Sequence, residues 1–107
     1  MVSTLKSSED LDNKIANAGD KLVVLDFYAT WCGPCKDMDP YVRKLTNAYK
    51  GRVMVIKINV DKFDVYCEKY KIRNMPTFVF IKNNRRLYSF SGFDPKTFEQ
   101  KLKTILK

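Results

Sequence analysis

At 107 residues the chain is one domain, long enough to bury a core without metal or disulfide staples. Its hydrophobic share of 45% and charged share of 30% exclude a disordered or fibrous chain, and three cysteines without a histidine exclude Ser-His and Cys-His catalysis and fall short of the four ligands of a usual zinc site. The formal charge of +8 is uneven: residues 1–50 carry seven basic and seven acidic groups, residues 82–107 seven and two.

No segment approaches the run of about 18 apolar residues that a membrane span requires. The opening MVSTLKSSEDLDNKI lacks the basic-then-apolar layout of a signal peptide, so an intracellular, reducing setting is expected. Residues 2–6 read as a short strand. SSEDLDNKIANAG then reads as a helix capped by Ser7 or Ser8, with acids in its first turn, Leu11 and Ile15 four apart, and Gly19 as its stop. LVVLDFYA (22–29) is an apolar, β-branched and aromatic run, the pattern of a central strand buried on both faces. Met38, Tyr41, Val42, Leu45 and Tyr49 recur at helical steps, predicting an amphipathic helix over 34–49, with Pro34 in its first turn and Pro40 as a kink.

VMVIKINV (53–60) predicts a second buried strand, and Phe63, Cys67 and Tyr70 one face of a short helix. TFVFI (77–81) and RLYSF (86–90) predict an antiparallel hairpin, with Asn83 and Asn84 tolerating the left-handed turn. Asp94 and Pro95 open a last helix whose buried stripe is Phe98, Leu102, Ile105 and Leu106. The order β-α-β-α-β-α-β-β-α implies an α/β domain over 1–107, with parallel pairing and helices on both faces of the sheet.

Chemistry concentrates in FYATWCGPCK (27–36), where a strand feeds a helix through a Cys-x-x-Cys pair. That layout sets Cys32 at a helix N-terminus, where unpaired backbone N–H groups and the positive end of the helix dipole stabilise a thiolate. Lys36 adds positive potential one turn on. Cys35, inside the first turn, is placed to attack a neighbouring sulfur, and Gly33 and Pro34 keep the two sulfurs within reach. An inert disulfide, part of a metal site and a redox catalyst all fit two thiols so spaced, but the ligand count and the reducing setting disfavour the first two.

WCGPCK after DFYAT, MPT at 75–77 and an SG before the last helix together resemble the thioredoxin family over the whole chain. The basic composition and the stretches NVDKF and MPTFVFIKNNRRL resemble, within it, the insect germline members of the Deadhead type. The resemblance implies the thioredoxin fold, a central mixed sheet of five strands flanked by four helices, and a protein-disulfide reductase. It makes Cys32 the nucleophile, Cys35 the resolving thiol, and Asp26 the buried carboxylate relaying the proton of Cys35. Trp31, Met75, Pro76 and Gly92 would line the substrate surface with Val60 at its edge, Pro76 being a cis proline. It implies no bound cofactor or metal, electrons from NADPH through thioredoxin reductase or a glutathione system, and a monomer acting on disulfide-containing proteins in the cytoplasm, and in the nucleus as well. Asn74 replaces the cysteine that many animal members carry before MPT, and Asn59 an aspartate.

Two side chains stay open at this stage. Lys57 interrupts VMVIKI and either approaches Asp26 from the adjacent strand or faces water at a sheet edge; Cys67 reads as a core filler, with a regulatory thiol as the rival. A second functional class also stands: the basic second half, with Arg85 and Arg86 at a hairpin turn, suits acidic or nucleic-acid-associated partners, either for binding alone or to direct redox activity to them. An oxidase or isomerase is disfavoured by Gly33-Pro34 between the cysteines.

Overall fold

The structure, a computed structural model, describes residues 2–107. Its elements follow the order β1 (Val2–Thr4), α1 (Ser8–Ala16), β2 (Leu22–Tyr28), α2 (Gly33–Asn47), β3 (Val53–Asn59), α3 (Asp64–Lys69), β4 (Thr77–Lys82), β5 (Arg85–Ser91) and α4 (Pro95–Ile105). They form one sheet in the order β1-β3-β2-β4-β5, parallel from β1 through β3 to β2 and antiparallel across β4 and β5. The mixed sheet and four helices match the expected fold.

Alternation along the strands explains the two-sided burial. Val23, Leu25, Phe27, Ile56 and Ile58 meet Leu11 of α1 and Tyr66 of α3 on one face. Leu22, Val24, Val53, Val55, Phe78 and Phe80 meet Met38 and Val42 of α2 and Phe98 and Leu102 of α4 on the other. The same parity puts Asp26 and Tyr28 of β2, and Lys57 of β3, on the α2/α4 face at its upper end, where the hydrophobic filling gives way to polar groups. Asp26 and Lys57 are register partners.

Several local readings need correction. Ser7 takes the N-cap position of α1 without a side-chain hydrogen bond, and the helix ends at Ala16, before a turn that reaches Gly19 at φ +64°. Tyr41 is not on the buried stripe: it is 44% exposed, lies at the rim of α2 and packs edge-on against Phe93. Asn83 and Asn84 adopt φ 51° and 61°, the left-handed pair that a two-residue hairpin demands. Asp94 accepts from the Thr97 backbone N–H at 3.0 Å, as expected of a cap, with Pro95 in the first turn.

On the α1/α3 face the buried residue that the helical reading missed is Tyr66, whose hydroxyl donates to the Ser8 carbonyl at 2.7 Å and ties α3 to the start of α1. Cys67 is half-buried, packed against that same cluster, and burial followed by Asp64 and Asp61 pushes its thiol above the ordinary range. Replacing Tyr66 by Phe removes one hydrogen bond at constant packing. The expected loss is about 1 kcal/mol of unfolding free energy, read by denaturant titration; an unchanged midpoint would show that the tether contributes nothing.

Candidate functional site

The site grows from the end of β2. The buried run stops at Ala29, the chain turns through Thr30 and Trp31, and α2 begins at Gly33 with Cys32 as its N-cap. Cys32 and Cys35 are joined as a disulfide with Cα atoms 5.3 Å apart. The Cys35 backbone N–H donates to Cys32 Sγ at 3.2 Å, and Lys36 N–H donates to the Cys32 carbonyl at 3.2 Å. The Cys32 sulfur thus faces the first free N–H groups of the helix, the arrangement that stabilises a thiolate once the bond is reduced. Fractional exposure does not rank the two cysteines, at 6% and 7%. Their difference lies in the backbone: one caps the helix, the other sits inside its first turn.

Ala29 and the two cysteines form a small apolar cluster, with Tyr28, Val60 and Met75 packed against it. The Met75–Pro76 peptide is cis. Gly92, at φ +96°, donates its N–H to the Pro76 carbonyl at 2.8 Å, locking the two loops together. A side chain at Gly92 would be strained by that φ alone. Gly33 is different: it lies in the helix with open space where a Cβ would stand, so no steric need for glycine exists there.

Trp31 is 66% exposed beside Cys32, and its indole N–H donates to Asp61 Oδ2 at 2.9 Å. Asp61 in turn donates its backbone N–H to the Asn59 side chain at 2.9 Å. Neither contact was read from the sequence. The signal was the Asn-x-Asp of NVDKF directly after a buried strand, a pattern that closes a local turn through its side chains. Asn59 is therefore a buried turn-former supporting the Trp31 anchor.

Asp26, on β2 six residues before Cys32, is 4% exposed. Burial raises its pKa to about 7; Lys57 opposes that rise, Asp39 adds to it and Arg43 opposes it. Of the two readings of Lys57, the approach to Asp26 from the adjacent strand holds, since the two are register partners, and the sheet-edge reading does not. β3 lies between β1 and β2, so Lys57 is not at a sheet edge, and its ammonium bonds Asp39 Oδ1 at 2.8 Å while lying 4.6 Å from the Tyr28 ring centre. Asp39 also accepts from Arg43 Nε at 2.8 Å. Burial alone would raise the Asp39 carboxyl, but hydrogen bonds from Arg43 and Lys57 hold it below the ordinary range. Asp39, Lys57 and Cys35 share a pocket of about 320 Å³, also lined by Tyr28 and the exposed Lys36.

A disulfide pair at a strand-to-helix turn, with Met75 of a cis peptide packed against it, on this sheet order, is the arrangement of a thiol–disulfide oxidoreductase of the thioredoxin family, and the chain belongs to that family. The thioredoxin family model matches residues 2–104. Thioredoxin-1 of Drosophila yakuba is 47% identical over 106 residues, covering 99% of both chains, and the thioredoxin of Gallus gallus is 37% identical over 99% of this chain and all of its own. The crystal structure of Deadhead (Thioredoxin-1), the germline-specific thioredoxin of Drosophila melanogaster, superimposes with a TM-score of 0.91 at 47% identity, over 95% of this chain and 97% of that one. The likeness to Deadhead-type members thus agrees with the sequence reading. Nothing in the fold, the site or these relatives supports a module that only binds nucleic acid. No helix among the described residues is long and apolar enough to cross a membrane.

Proposed function

We propose that the chain reduces protein disulfides by a two-thiol cycle in which Cys32 attacks and Cys35 resolves. The observation that carries this is the Cys32–Cys35 pair at the N-terminus of α2, with only Cys32 in the capping position. The Cys32 thiolate attacks one sulfur of the substrate disulfide; a Cys32–substrate disulfide forms, and the other substrate sulfur leaves as a thiolate and takes up a proton. Cys35 then gives its proton to the Asp26 carboxylate and attacks the Cys32 sulfur. The intramolecular disulfide forms as the second substrate sulfur departs. Two electrons pass to the substrate, leaving the protein oxidised.

Asp26 suits the proton-accepting role because its raised pKa lies near neutrality, between those of an ordinary carboxylate and a thiol. Trp31, Met75, Val60 and Gly92 would contact an extended substrate segment. The Pro76 carbonyl is bonded to Gly92, so the backbone of Met75 is the part that would pair with that segment.

The disulfide is returned to the dithiol by thioredoxin reductase at the expense of NADPH, or by a glutathione system, with the chain acting as a monomer in the cytoplasm and in the nucleus. The surplus positive charge of residues 82–107 would favour acidic or nucleic-acid-associated substrates. The test is insulin reduction with NADPH and thioredoxin reductase. Turbidity from the precipitating insulin chains, at a rate proportional to protein added, is expected. No turbidity, with reductase shown to be active on another thioredoxin, would refute the reading.

A further inference from the structure

α2 carries Cys35, Asp39 and Arg43 at four-residue steps, so the three share one helix face. That stripe runs from buried Cys35 to exposed Arg43, and Asp39 between them reaches Lys57, which stands beside Asp26 in register. Asp39 bonds both cations at once: Lys57 Nζ to Oδ1 at 2.8 Å and Arg43 Nε to Oδ2 at 2.8 Å. The Arg43 pair is a surface pair, with the arginine side chain 55% exposed. The Lys57 pair is more enclosed, at 16% and 26%, and forms the wall of the pocket that Cys35 opens into. Asp26 is the register partner of Lys57 on β2.

We propose that Asp39 is a positioning residue for the resolving step: it clamps Lys57 in the wall of the Cys35 pocket and holds a fixed negative charge beside Asp26, setting the pH at which Asp26 can accept the Cys35 proton. The inference rests on the proton-accepting role given to Asp26 above.

A free ammonium at Lys57 would turn toward the nearest carboxylate on its sheet face, Asp26, and hold it ionised as a weak base. With Asp39 in place the ammonium is engaged on both sides, by a carboxylate and by the Tyr28 ring, and its charge is compensated. The two acids then divide the work. Asp39 stays ionised because two cations donate to it; Asp26 is free to gain and lose a proton near neutrality because burial dominates. The other groups facing this region do not substitute for the clamp. Lys36 lines the pocket but is exposed, the β4 neighbour of Asp26 is Phe78, and the α4 residues packed on this face, Phe98, Leu102 and Ile105, are apolar.

The test is a carboxyl-carbon NMR titration of Asp26 in the reduced protein, alongside the pH dependence of single-turnover substrate reduction. In Asp39→Asn the Asp26 midpoint is expected to fall by about one pH unit, as Lys57 and Arg43 lose their counter-charge. The limb of the rate profile should follow it downward. In Lys57→Met the midpoint should rise instead, and Asp39→Glu, which keeps the charge, should restore the wild-type profile. If Asp39→Asn fails to fold, Arg43→Gln, at an exposed position, removes one cation and leaves the Asp39–Lys57 pair intact, so the Asp26 midpoint should rise, in the sense opposite to Asp39→Asn. An Asp26 midpoint unmoved in folded Asp39→Asn and Lys57→Met protein would overturn the inference by itself. A rate limb that persists in Asp26→Asn would instead overturn the role of Asp26.

Discussion

The Cys35→Ser variant is expected to accumulate as a covalent adduct with its substrates while turnover falls by about a thousandfold or more. Cys32 keeps its cap position, and the N–H groups that stabilise its thiolate belong to the backbone, so the first attack proceeds. The serine hydroxyl cannot displace the Cys32–substrate bond, because sulfur attacks sulfur through a thiolate and a hydroxyl stays protonated at neutral pH. Non-reducing gels should show a mass increase that dithiothreitol reverses. Cys32→Ser should show neither adduct nor turnover, although it keeps one thiol of the pair. Equal trapping by both variants would mean that helix position does not divide the labour. Mass spectrometry of the trapped proteins would show whether acidic or nucleic-acid-associated substrates are favoured.

How far the sequence reaches is best judged residue by residue. LVVLDFYA and VMVIKINV were legible as interior strands because a strand covered on both faces must be apolar at successive positions. Their order in the sheet was not, since nothing local states that β3 lies between β1 and β2. That gap leaves Lys57 with two readings in the sequence, and the register beside Asp26 on an interior strand decides between them. Tyr41 was misread for a related reason. Helical spacing assigns a stripe but not its width, and at 41 the stripe has already reached the rim. The cysteines and Asp26 were legible because each breaks an expectation: two thiols bracketing Gly-Pro, and an acid in an apolar run. Asp39, Arg43 and Asp61 break none. Charged residues on a helix or in a turn look solvated, and their partners lie 18 and 30 positions away for Asp39–Lys57 and Trp31–Asp61. Long-range polar pairing is the part of a site that composition and periodicity leave invisible.

The second large effect is a gain of stability from removing a functional group. The folded-state pKa of Asp26, about 7, lies above the ordinary value of 3.8. A carboxyl raised by folding contributes stability that is complete below its unfolded pKa and is lost as pH rises through the folded one. Between pH 3.8 and about 7 the folded chain therefore holds a proton at Asp26 that the unfolded chain has released, and unfolding becomes easier across that window. Above it the buried charge costs about 4 kcal/mol, the free-energy equivalent of the whole displacement. Asp26→Asn has the same shape and no charge. Its unfolding free energy should match wild type below pH 4 and exceed it by up to about 4 kcal/mol at pH 9. Denaturant titrations of the oxidised protein isolate the effect, because neither cysteine of the disulfide titrates. A gap that stays constant from pH 4 to 9 would place the raised pKa in error. The same variant should lose turnover and the neutral-pH limb of its rate profile, since Cys35 then has no acceptor behind it. Together the two results would explain why a buried strand carries an acid: the destabilising carboxylate would be the base, tuned toward neutrality by burial, that serves the resolving thiol.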